Sequence, residues 1–248
     1  MPADLSYSEF AIVWCAVASA YVIFSIAGFG TALVASPILA QFVPVAHIVP
    51  LLALLDFFAA ATNLARDGRH AEVAELKRLV PLMMAGSAVG AAVLLYTRPD
   101  ILMLMLGIFV IAYALYSLSG LKPDTRFSAG AAIPFGLVGG MFSALFGSGG
   151  FLYSIYLTGR IDDKNRVRIT QSTLIGMSTL TRLVFFVAAG VYANTGLLLL
   201  AAMLATAMLC GVFVGRRITL KLTREQFIRV VNVVVLVSGV FLLLRYFS

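Results

Sequence analysis

The chain has 248 residues, 61% of them hydrophobic and 12% charged, with a formal net charge of +7. A water-soluble domain is about half apolar and about a quarter charged, so this balance excludes a water-facing globular surface. The positive charge does not point to nucleic acid, because the basic residues lie between long apolar runs, where the positive-inside rule puts them in a membrane protein.

The first ten residues, MPADLSYSEF, carry Asp4 and Glu9 and no basic residue. They lack the positive start and small-residue cleavage site of a signal peptide, so the first apolar segment is expected to be retained. That segment covers about 10–26, and Gly28-Phe29-Gly30 breaks it from a short apolar stretch at 31–43. Longer segments follow at 48–65, 79–97 and 101–120, with the amphipathic stretch GRHAEVAELKR at 68–78 expected on the inner membrane surface. The pattern then restarts at 128–146, breaks at Gly147-Ser148-Gly149-Gly150, resumes over 150–158, and continues at 169–190, 196–214 and 226–244. A helix needs about 20 residues to cross about 30 Å of hydrocarbon, so 31–43 and 150–158 are too short to cross alone.

The landmarks repeat. Phe24-Ser25 stands before the first glycine break and Phe142-Ser143 before the second. Gly86-xxx-Gly90 precedes Thr97-Arg98, and Gly211-xxx-Gly215 precedes Thr223-Arg224. This spacing predicts a duplicated chain, as in many transporters. The two Gly-xxx-Gly pairs read as close helix contacts, within or between subunits, so a homodimer stays open. Cys15 and Cys210 lie in apolar segments and read as small hydrophobes, and His47 and His70 stand alone, without metal-ligand spacing.

Charge discriminates between two threadings. If each glycine break turns the chain back, the loops at 66–78, 120–127, 159–168 and 215–229 share one side and hold 15 Lys or Arg, against Arg98 and Arg245 on the other. If 10–43 and 128–158 each cross once, the split is 10 against 7. The positive-inside rule selects the hairpins. The expected architecture is therefore an all-α polytopic membrane protein with both termini in the periplasm. It is a single membrane domain over 1–248, an inverted repeat of halves at about 8–120 and 127–248. Each half has a glycine-broken re-entrant hairpin plus three transmembrane helices.

Irregular backbone inside a bilayer is tolerated only where it is buried in protein or lines a cavity. A helix starting after each break presents unpaired N–H groups and a partial positive charge, which suits an anion. The candidate substrate-binding residues are Ser25, Gly28, Gly30 and Thr31 in the first half, and Ser143, Gly147, Ser148, Gly149 and Gly150 in the second. Arg182 sits deep in the apolar stretch 174–193. An unpaired guanidinium in lipid costs at least ~2.5–3.5 kcal/mol, so it should face a cavity, a partner or an anion; the alternative is snorkelling to the outer interface. Its forked donors suit an oxyanion. Asp56, read as the sole acid inside a membrane segment, is expected to pair with Arg182 or to relay protons. Asn63, by the repeat, stands in register with Arg182, and Thr62, Gln171, Ser172, Thr173, Ser178 and Thr179 add polar lining.

AGFGTALVASPIL at 27–39 and LFGSGGFLYSIYL at 145–157 resemble the duplicated glycine-rich signature of the TauE/SafE family of sulfite and organosulfonate exporters. The resemblance covers nearly the whole chain. The family pattern has three consecutive glycines and a proline in both halves; here Tyr156 stands where Pro37 falls in the first half. The resemblance implies export of a small sulfur anion across the inner membrane. No P-loop is present, so ATP does not drive it directly, and no metal, cofactor or nucleic-acid partner is expected. The partners are then the anion and the lipid bilayer. The rivals are a passive anion channel, a carrier of another small carboxylate or anion, a membrane enzyme and a scaffold; an enzyme would need a nucleophile–base pair or a metal cluster.

Overall fold

The structure is a computed structural model and describes residues 6–27, 30–67, 71–119, 126–217 and 224–247. Among the described residues there are α-helices and short turns but no strand. The helices are α1 (Tyr7–Ala27), α2 (Thr31–Leu39), α3 (Val45–Asp67), α4 (Val73–Tyr96), α5 (Pro99–Leu118), α6 (Ala132–Phe146), α7 (Gly150–Thr158), α8 (Lys164–Ala188), α9 (Thr195–Arg217) and α10 (Arg224–Phe247). Among the described residues, five stretches are long and apolar enough to cross a membrane: Tyr7–Ser25, Val73–Tyr96, Pro99–Leu118, Ala129–Phe146 and Thr195–Gly215. The stretch at the start of α3 and the one at the end of α10 are shorter, at Val45–Ala59 and Val235–Leu244.

Both glycine breaks interrupt helices. Gly30 has φ 98° and Gly147 φ 69°, left-handed values that glycine adopts without a Cβ clash. Gly147 closes α6: its N–H donates to the Ser143 carbonyl at 2.9 Å, and the Ser148 N–H to the Phe142 carbonyl at 3.4 Å. The helices that follow, α2 and α7, have 9 residues each. Each packs on the helix before it, α2 on α1 and α7 on α6. The approach of α7 is close, since a Cβ on Gly149 would stand 2.2 Å from the Gly139 carbonyl oxygen.

The chain packs as two compact units. The first is Met1–Leu55, Thr97–Leu121 and Tyr192–Ser248; the second is Asp56–Tyr96 and Lys122–Val191. The units cut across the sequence halves. In the first, α9 from the second half lies on α1, and α10 on α5. In the second, α4 from the first half lies on α6.

The Gly-xxx-Gly pairs make these exchanges. A Cβ on Gly211 would stand 2.3 Å from the Ala18 carbonyl oxygen in α1, and one on Gly86 2.0 Å from the Leu137 carbonyl oxygen in α6. Backbones this close admit no side chain, so both motifs are helix contacts within the chain.

One expectation is corrected. Residues 73–78, within the stretch expected on the inner surface, are the start of α4. The apolar register of α4 continues backwards through Leu79 to Glu75, which is buried with Leu79 and Met83. Asp56 is therefore not the sole acid in a membrane segment.

Three connections meet at one end of the second unit. Arg160 reaches Glu75 at 2.9 Å, Arg166 reaches Glu72 at 3.3 Å and Arg126 reaches Asp162 at 3.3 Å. The Phe127 N–H donates to the Gly159 carbonyl at 3.1 Å. The start of α4, the lead into α6 and the α7–α8 connection thus share one side.

Candidate functional site

The α8 helix starts on Asp163, whose side chain accepts from the N–H groups of Asn165 and Arg166. This is an ordinary N-cap, and it fixes the register of the 25 residues that follow. Gln171 donates to the Gly150 carbonyl at 3.3 Å and ties α8 to the first residue of α7. Two turns later Ser178 meets Ser143 of α6, hydroxyl to hydroxyl, at 2.6 Å. Arg182 follows one turn on from Ser178, on the same helix face.

These residues form a connected polar seam inside the second unit. A Cβ on Gly149, just before α7, would come within 2.9 Å of the Ser143 Cβ, so the start of α7 rests on that serine. Arg182 is 2% exposed and does not snorkel outwards. Its Nη2 donates to Thr179 Oγ1 at 3.0 Å and lies 3.7 Å from Asp56 Oδ2 on α3. That separation is an ion pair beyond direct hydrogen-bond length. A guanidinium carries five N–H donors, and the Nε and Nη1 of Arg182 have no partner among the described residues. The Tyr153 hydroxyl on α7 is likewise buried without a partner.

The other predicted residues fall as follows. Ser148 is buried and donates to the Phe146 carbonyl at 3.1 Å, so its hydroxyl closes the turn. Ser25, in the first unit, donates to the Tyr21 carbonyl at 2.9 Å, one turn back in α1. Thr31 is the buried first residue of α2, next to Gly30. Gly28 lies outside the described residues. Asn63 is on α3, and its side chain lies outside them too. Within the second unit the fold brings together Ser143, Gly149, Asp56 and Arg182 with Ser178 and Thr179 of the expected polar lining, and adds Tyr153.

A second buried polar cluster has no counterpart in the sequence expectations. Glu75 Oε2 accepts from the Tyr156 hydroxyl at 2.7 Å, and Oε1 from Arg160 Nη2 at 2.9 Å and Arg78 Nη1 at 2.6 Å. Arg160 also donates to the Phe127 carbonyl at 3.1 Å. The carboxylate beside it pushes the Arg160 guanidinium still higher than usual. A pocket of ≈ 410 Å³ opens next to this cluster, lined by Glu72, Glu75, Asp162 and Asp163 against Arg160 and Arg166. Four carboxylates against two guanidiniums repel an anion. The cluster is a tie between helices.

The helical signal for Glu75 was present: it stands four residues before Leu79 and eight before Met83, on the buried stripe of α4. Tyr153 carried none, since an aromatic in an apolar helix is ordinarily packing.

The profile of the sulfite exporter TauE/SafE family matches residues 12–242. The chain belongs to this family. It is a multi-pass membrane transport protein, and the family description is that of a sulfite exporter. No curated protein and no solved structure matches the chain.

Proposed function

We propose that the chain is a secondary transporter, in the direction of export, for a small sulfur-containing anion such as sulfite or an organosulfonate, in the inner membrane. The observation that carries this beyond family membership is the buried Arg182, with two guanidinium nitrogens left without a partner, one turn along α8 from the Ser178 that meets Ser143. A cation inside a membrane protein is expensive and marks an ion or substrate path by default. Ser143 and the Gly147–Gly150 turn are its neighbours in the seam or adjoin it, and we assign them to substrate binding together with Arg182. Gly28, Gly30, Thr31, Ser25 and Asn63 are assigned to the same role on the repeat alone. Asp56 offsets the guanidinium charge when no anion is bound.

The proposed threading is an inverted repeat with re-entrant hairpins at both glycine breaks and both termini in the periplasm. It is supported by the contacts that join the loops at 66–78, 120–127 and 159–168, here through Glu75, Phe127 and Arg160. Straight crossings would put the first two loops opposite the third. Reporter fusions after residue 125 and after residue 222 are expected to report cytoplasm in both cases. A periplasmic signal from the first would remove the hairpins.

A passive anion channel is the rival. It shares the site but differs in kinetics, and flux of sulfite or sulfoacetate in proteoliposomes separates the two: a carrier saturates and exchanges, whereas a channel conducts without counterflow.

A further inference from the structure

Four buried side-chain polar atoms lack a hydrogen-bond partner among the described residues: Ser36 Oγ, Tyr153 Oη, and Nε and Nη1 of Arg182. Buried polar groups are almost always satisfied, and an exception asks for an explanation such as an unseen water or ion. Ser36 lies on α2, in the first unit. The other three lie in the second unit, on α7 and α8.

The chemistry of these atoms sets what they can bind. Guanidinium nitrogens donate and never accept. The Tyr153 ring lies against Gly139, one turn before the Ser143 that meets Ser178, and its hydroxyl has no hydrogen-bond partner among the described residues. Ser178 is already engaged with Ser143 at 2.6 Å. Donors are in surplus, so the group that completes this seam is an acceptor.

The Tyr153 ring is held where it is. A Cβ on Gly139 would stand 2.4 Å from its Cε1, so the ring packs against a bare stretch of α6 that only glycine leaves open. The residue is 0% exposed. A tyrosine clamped this tightly with its hydroxyl unspent differs from one that merely fills space, for which phenylalanine would serve without the cost of burying an O–H.

We propose that the Tyr153 hydroxyl is a direct ligand of the transported anion, donating to one of its oxygens beside Arg182. The ligand class is a compact oxyanion with several acceptor oxygens, of the sulfonate or sulfite type. This rests on the transport function proposed above, and adds to it a residue that donates to the anion.

The test is Tyr153→Phe, which keeps the ring on Gly139 and removes only the oxygen. Purified wild type and variant are titrated with sulfoacetate, sulfite and chloride, and the apparent melting temperature is followed. An unpartnered hydroxyl contributes nothing to the empty protein, so the variant without anion should melt at or slightly above the wild-type temperature. The sulfoacetate concentration giving half of the stabilisation should rise about tenfold, the scale of one hydrogen bond to a charged group. Any shift with chloride sets the background of general anion stabilisation against which the sulfoacetate response is read.

Two results overturn the proposal: an unchanged half-saturation, which would mean that the hydroxyl holds only water, or a clear fall in the melting temperature of the empty variant, which would mean a structural bond. Arg182→Lys distinguishes the two levels. If it weakens sulfoacetate binding while Tyr153→Phe does not, the anion site stands and the tyrosine assignment falls. If no anion shifts the wild type, both fall together.

Discussion

Arg182→Ala is expected to abolish transport, and Asp56→Ala added to it is expected to restore the fold but not the flux. Arg182 and Asp56 are both buried, with side chains 3% and 9% exposed and 3.7 Å between charged atoms. Removing one partner of such a pair leaves the other uncompensated and destabilises by ~3–5 kcal/mol. The single variant alone is therefore ambiguous, since a misfolded protein also fails to transport. The double variant removes both charges, and its expression and melting behaviour should return towards wild type. If Arg182 holds the anion, flux stays down by roughly two orders of magnitude, the scale of losing one buried charge-assisted contact of about 3 kcal/mol. Arg182→Lys keeps the charge but loses the planar fork, and should fall between the two. Normal sulfite or sulfoacetate flux in the double variant would assign Arg182 to the fold alone.

Glu75→Ala is expected to lower stability clearly, away from Arg182. It leaves the Tyr156 hydroxyl without the acceptor at 2.7 Å and frees Arg160 and Arg78 at once. Arg160 is 26% exposed on its side chain, so water takes up part of the loss. A cost of about 3 kcal/mol, the lower end for breaking a buried pair, is expected. Membrane proteins in detergent unfold irreversibly as a rule, so the readout is the apparent melting temperature at a fixed scan rate. Glu75→Gln keeps the shape and an acceptor oxygen and should lose less. Equal melting temperatures for wild type and Glu75→Ala would show that the tie is decorative.

The sequence carries the helix order well, because apolar run length and glycine breaks are strong signals in a membrane protein. The short helices α2 and α7 fall at 31–39 and 150–158, close to the apolar stretches that mark them. The Gly-xxx-Gly pairs were legible as close contacts, but not their partners. Which helix lies against Gly86 depends on an exchange between halves that no local pattern encodes. The Arg182–Asp56 proximity was legible from energetics, since two lone charges in apolar helices offset each other's cost. Glu75 was missed because its neighbours in AEVAELKR are polar, which suggested a surface helix; in the fold, α4 continues inwards through it. The Ser143–Ser178 contact was beyond the sequence for a similar reason: each is a small hydroxyl that most often bonds its own helix, as Ser25 does with Tyr21.

The central claim is that this chain carries a sulfur oxyanion by a saturable mechanism. Solute counterflow tests it most directly: purified protein in proteoliposomes loaded with unlabelled sulfoacetate or sulfite, with labelled anion outside. Wild type should accumulate label transiently above the equilibrium level, saturably, and the Arg182→Ala, Asp56→Ala double variant should not. Label that enters only to equilibrium in proportion to its concentration, or enters equally with the double variant, would contradict it.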